Sequence, residues 1–162
     1  MSMNVLQQLS SILQAELNHS SQLAKILKQE REALKAADLD QIQLLMQQKQ
    51  PHVLQLEQCG RQREQLLKAA GFSGGKSGLE AFVANHPEHE AAPVWQLLEK
   101  LREVARNCRD DNQINGGIVN VNRQHLLRAL SILRGRDPET SSYGPGGEYT
   151  SQVVRQPLIG RV

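Results

Sequence analysis

Leu6, Leu9, Leu13, Leu23, Leu27 and Leu34 recur at three- and four-residue steps across residues 3–36, a stretch without glycine or proline. That spacing puts the leucines on one stripe and predicts a long, coiled-coil-like helix. Glu16, Ser20 and Glu30 interrupt the stripe. The interruptions argue against a zipper dimer and for packing against shorter neighbouring helices. A second helix is predicted from Asp40, whose carboxylate would cap the amides near Gln43 while Leu39 and Leu44 form a hydrophobic staple. Its inner face reads Ile42, Leu45, Val53, Leu56, Leu66 and Ala70, and Gly71 ends it. Pro51 removes one backbone bond and predicts a kink or a division there.

The glycine- and serine-rich stretch 71–78 predicts a loop. Ser77-Gly-Leu-Glu80 reads as a capping box that opens a short helix carrying Phe82 and Val83 and ending before Pro87. A second loop, His86 to Glu90, leads to the longest element, Ala92 to Arg134. At about 1.5 Å per residue it would span roughly 65 Å, against roughly 45–50 Å for its predecessors. The pattern predicts an all-α fold: an elongated, antiparallel three-helix bundle with one short extra helix and an overhanging apolar end. Residues 1–135 form the bundle domain, and 136–162 are expected to be a flexible C-terminal tail, rich in Gly, Pro and Ser. The tail still holds side chains able to dock, Tyr143 and Tyr149 among them. Its apolar end, Val153 to Ile159, is expected to fold back over the empty groove.

Composition narrows this further. Aromatic residues make up 3% of the chain, with one tryptophan, so Leu, Ala, Ile and Val must supply the core. Helix-on-helix packing suits that supply better than a sandwich or barrel. The net charge is +2, from 19 basic and 17 acidic residues. The two signs alternate, as in Glu99-Lys100-Leu101-Arg102-Glu103, which predicts a solvated surface without a continuous positive stripe and argues against nucleic acid as partner. Cys59 and Cys108 lie far apart without C-x-x-C spacing, as expected of reduced thiols in a cytoplasmic protein. No signal-peptide pattern and no run of about 20 apolar residues occurs, so a soluble, intracellular protein without membrane insertion is expected.

Three patterns could carry chemistry. Ala70-Gly-Phe-Ser-Gly-Gly-Lys76-Ser77 fits a relaxed phosphate loop, but that mechanism needs a preceding buried strand, and here a helix precedes it. His86-Pro-Glu-His89-Glu90 offers two imidazoles on a proline-containing turn, without the fixed face that a metal site needs. His125, near an apolar face of the long helix, reads as a partly buried, hydrogen-bonded residue. No nucleophile–base set can be assembled, so no enzyme, cofactor or metal is expected.

The centre of the long helix is the most informative stretch. On the heptad count that places Val94 and Leu101 on the seam, Asn115 and Asn122 also fall on it. Such asparagines either fix register with a neighbouring helix or satisfy groups on an incoming one. Gly116-Gly117 costs roughly 1 kcal/mol per residue relative to alanine, so a close backbone approach or an intended weak point is expected there.

Asn112-Gln-Ile-Asn115-Gly116-Gly-Ile-Val-Asn120, the following Leu126, Leu127, Ala129, Leu130 and Leu133, and then Tyr143-Gly-Pro-Gly-Gly147 resemble the FlgN family. These are bacterial flagellar export chaperones for hook-filament junction proteins. Gly117, Gly146 and Pro51 depart from the family pattern. The resemblance implies a non-enzymatic, cytoplasmic chaperone. It would bind the C-terminal helices of hook-associated clients, keep them from assembling early and deliver them to the type III export gate. By that resemblance, and by the way amphipathic helices dock in apolar grooves, Ile114, Asn115, Ile118, Val121, Asn122, Leu126 and Leu133 are the expected client-binding residues. Tyr143 is the expected contact with the export-gate cytoplasmic domain. The alternative is a coiled-coil scaffold or homo-oligomeric structural protein, and a weak homodimer is compatible with either reading.

Overall fold

A computed structural model describes residues 3–134 and contains four helices: α1 (Val5–Lys35), α2 (Leu39–Ala69), α3 (Lys76–Ala84) and α4 (Glu88–Leu133). Helix α1 opens with a reciprocal cap. The Gln7 amide donates to Asn4 Oδ1 at 2.7 Å, and the Asn4 amide donates to Gln7 Oε1 at 3.0 Å. It ends in a tight turn with Ala37 in the left-handed region (φ 52°) and the Asp38 amide bonded back to Ala33. Asp38 also caps α2 by accepting from the Gln41 amide at 3.2 Å. The second helix therefore starts earlier than its sequence suggests. Leu39 is its first residue and is largely exposed, so the expected Leu39–Leu44 staple does not form.

Pro51 neither divides α2 nor ends it. The helix runs on to a glycine stop, where Gly71 (φ 86°) adopts a conformation that would strain any other residue. Helix α3 also begins before its expected start. Gly75 is the capping position, no side chain caps it, and Ser77 lies inside the helix. Gly78 is obligatory for space, because a Cβ there would stand 1.7 Å from the Ser73 carbonyl oxygen. Pro87 starts α4, so the anticipated loop to Glu90 is already helical.

Helix α1 is the shared partner. It packs against α2 on one side and α4 on the other, while the backbones of α2 and α4 stay apart. The bundle is thus three-helical and up-down-up, with α1 in the middle. The expectation of shorter neighbours is not met: α2 equals α1 at 31 residues, and α4 has 46.

The core tapers. At its wide end, where α3 closes the bundle, Leu9, Leu13, Leu67, Phe82, Val83, Val94 and Leu98 form the main apolar cluster. Each fully buried side chain there contributes about 1.5–3 kcal/mol. A second cluster is built on Leu23, Leu27, Leu56 and Cys108, and a third holds only Ile26, Ala33 and Leu45. Polar layers separate them. Arg63 Nη1 donates to Glu16 Oε1 at 2.8 Å, and Lys49 Nζ donates to Glu30 Oε2 at 2.9 Å, both pairs buried.

Both cysteines are buried as free thiols. Burial, with Asp111 adding to it, pushes the Cys108 thiol from 9.0 up to about 11. Burial also raises Cys59, again with a nearby carboxylate, Glu16, adding to the effect. Only thiolates attack disulfide reagents, so an aromatic disulfide probe at about pH 8 should label neither cysteine until denaturant is added. The raised value also predicts alkaline weakening. The folded chain keeps the Cys108 proton where the unfolded chain has lost it, so stability is full below 9.0 and falls as pH rises towards about 11. Denaturant midpoints should decline over that window, and less so in Cys108→Ala.

Candidate functional site

Helix α4 is fixed to α1 by one polar cluster. Asn115 Nδ2 donates to the Leu27 carbonyl oxygen at 2.8 Å and to Glu30 Oε1 at 3.1 Å. Arg31 Nε donates to Asn115 Oδ1 at 3.2 Å, and Arg31 Nη2 bonds Asp111 at 2.7 Å. Because Glu30 also holds Lys49, this cluster ties all three long helices together. Asn115 is 2% exposed and uses its amide inside the bundle, so it does not lie on an open surface with the other expected client-binding residues.

Asn115 is also the last buried residue of α4. Cys108 meets Ser20 and Asn115 meets Leu27 at the same sequence separation of 88, so α4 runs parallel to α1 in constant register. That register sets Lys35, the last residue of α1, level with Arg123. About ten further residues, some 15 Å, project past the bundle as a free arm. The inward seam nevertheless continues along it. Ile118, Val119, Asn122, Leu126, Leu130 and Leu133 follow Asn115 at steps of three, four, seven, eleven, fifteen and eighteen, which is coiled-coil spacing that, among the described residues, has no partner helix opposite beyond Arg123. Leu126 is 60% exposed and Leu133 82%, while Ile118, nearest the bundle, is half-buried. Ile114 and Val121 flank the seam and are also exposed. Asn122 repeats the Asn115 position one heptad later, level with Leu34 in the last turn of α1, yet is exposed.

The arm is also one-signed. Between Asn112 and Arg134 there is no aspartate or glutamate, and Arg123, Arg128 and Arg134 give it a cationic rim. Gly116 and Gly117 do not interrupt α4, and a Cβ on either would meet nothing within 4 Å. They serve no close approach and make no break.

The remaining candidates have other surroundings. The phosphate-loop-like segment leaves helix α2 rather than a strand. His86 is engaged with the Phe82 carbonyl oxygen at 2.8 Å and packs on the Phe82 ring, while His89 lies exposed beside Glu90. Among the described residues no group of three or more metal-capable side chains occurs. His125 is exposed, not partly buried, because among the described residues the arm has no neighbour to cover it. A pairing that the sequence did not suggest joins His19 and His52, whose Nδ1 atoms lie 3.0 Å apart between α1 and α2. Burial, with the neighbouring His19 adding to it, lowers His52. Tyr143 and the tail lie outside the described residues. Within them no helix is long and apolar enough to cross a membrane.

Known proteins share this architecture. The FlgN protein family model matches residues 1–151. A solved structure from Pseudomonas aeruginosa, assigned there as a flagella synthesis protein FlgN, is 29% identical with a TM-score of 0.65. It covers 74% of this chain and 91% of its own. No curated protein matches. With the family pattern running through the bundle, the polar anchor and the arm alike, the chain belongs to the FlgN family of flagellar proteins.

Proposed function

We propose that this protein is a cytoplasmic, non-catalytic chaperone of flagellar export, whose α4 arm receives a C-terminal amphipathic helix of a hook-filament junction protein. The observation that carries the reading is the coiled-coil seam from Ile118 to Leu133, half-buried at Ile118 and then left open among the described residues, continuing from a face that is fully buried only up to Asn115. A client helix laid on the arm would supply the missing partner, with apolar anchors at i, i+3, i+4 and i+7. Ile114, Ile118, Val121, Asn122, Leu126 and Leu133 contact it. Asn115 acts one step back, holding the root of the arm to α1. The cationic rim favours clients whose helix carries carboxylates beside its apolar stripe. While the arm holds that stripe, the client cannot use it for assembly. Membership of a flagellar family supports this reading.

Tyr143 docks on the export-gate cytoplasmic domain, so client and gate occupy different parts of the chain. Calorimetric titration of the whole chain with a C-terminal segment of a hook-filament junction protein should give saturable one-to-one binding. Deleting residues 136–162 should leave bundle melting nearly unchanged and abolish gate binding, and Tyr143→Ala should reproduce the gate defect. If client segments release no heat, or light scattering finds the arm sealed in a stable homodimer, the proposal fails.

A further inference from the structure

On another side of α4, well before the arm, lies a recess of about 510 Å³ lined by Trp95, Glu99, Arg102, Arg106 and Arg109, with Lys76 from the start of α3. The sequence alternates acidic and basic residues here, but the helix sorts them. Trp95, Arg102, Arg106 and Arg109 stand at steps of zero, seven, eleven and fourteen, so one aromatic and three guanidiniums share a stripe. Arg102 Nη2 bonds Glu80 of α3 at 2.8 Å, which fixes the guanidinium, yet its Nε is buried without an acceptor. Lys76, Arg106 and Arg109 form no ion pair among the described residues. Four cations therefore face Glu99 and the one carboxylate already tied to Arg102.

We propose that this stripe is a second docking surface, for an acidic helical segment of a protein partner. The cations are spread over about 10 Å of helix and do not converge on one point, as the donors around a single phosphate would. Their three-four spacing matches carboxylates on the face of a helix lying alongside. Trp95, two turns before Arg102, offers that helix an apolar wall. Glu99 sits within the stripe and opposes a continuous polyphosphate backbone. The surface is separate from the arm, and client and acidic segment could be bound together.

Trp95 is the chain's one tryptophan; it lines this recess and also packs against the main apolar cluster, so its fluorescence reports an occupant here as long as the melting curve is unchanged. The probe is a synthetic helical peptide with a leucine and, at seven, eleven and fourteen residues beyond it, glutamates. Titrated into the whole protein, it should produce a saturable change in Trp95 emission, weakened at least about tenfold between low and roughly 300 mM salt. Arg106→Glu with Arg109→Glu should weaken it at least about tenfold with an unchanged melting curve. Arg106→Gln with Arg109→Gln should act in the same direction should charge reversal disturb folding. Leu126→Asp with Leu133→Asp should leave it unchanged. The proposal is overturned if the peptide leaves Trp95 emission unchanged, if the arginine variants respond like the parent, or if the arm variant loses the peptide. Tighter saturation by inorganic phosphate or single-stranded RNA would overturn it equally.

Discussion

Glu16→Ala is expected to destabilise the bundle by about 3–5 kcal/mol, whereas Glu16→Leu combined with Arg63→Met should be close to neutral. The single substitution leaves the Arg63 guanidinium buried without its carboxylate, between the two larger apolar clusters. Replacing both removes the need to strip water from either charge. Burial raises the Glu16 carboxyl above its ordinary value of 4.5 even though the Arg63 guanidinium pulls the other way. A raised carboxyl contributes stability below the unfolded value and loses it as pH rises through the folded one. Through this group, then, acidification does not loosen the fold, and at neutral pH the charged pair is a burden. For a domain worth about 5–15 kcal/mol the single mutant's loss is large. Chemical denaturation of the parent, Glu16→Leu, Arg63→Met and the double completes the cycle. A double mutant as weak as the singles would show that the pair is itself a net source of stability.

Leu126→Asp with Leu133→Asp is expected to weaken client-helix binding about a hundredfold while moving the melting temperature by no more than about 2 °C. Both side chains are largely exposed on the arm, so charging them removes apolar anchors from a bound helix without touching the core. Leu98→Asp provides the contrast, since it buries a carboxylate in the main cluster and should unfold the bundle. Titration calorimetry and thermal melts of the two variants test both halves. Unaltered client affinity would refute the arm as the binding surface, and a large loss of melting temperature would mean that the arm is packed in the free protein.

The leucine period, the glycine stop at Gly71 and the excess length of the last helix were all legible in the sequence. The turn after α1 was not, because alanine occupies the left-handed position usually marked by glycine, and Asp38 serves both helices. Glu16 and Glu30 looked like flaws in a seam. They are one half of a register code: each is two heptads from the other, as Lys49 is from Arg63, and antiparallel pairing matches both at once. The signal was present but belonged to two segments read separately. Asn115 could not be assigned inward or outward from periodicity, since its seam is covered on one side of that position and bare on the other. The arginine stripe is hidden in the linear alternation of charge and emerges only around the helix.

The paired glycines come immediately after the final interior residue of α4 and touch nothing. At about 1 kcal/mol each below alanine in helix propensity, they place the softest point of the backbone at the boundary between scaffold and arm. Thermal fraying that begins at Leu133 therefore has a natural place to stop, and melting can spread through the projecting segment without reaching the Asn115 anchor. The helix is continuous through the pair, but bending or unwinding of the distal segment is cheapest there, outside the leucine interior.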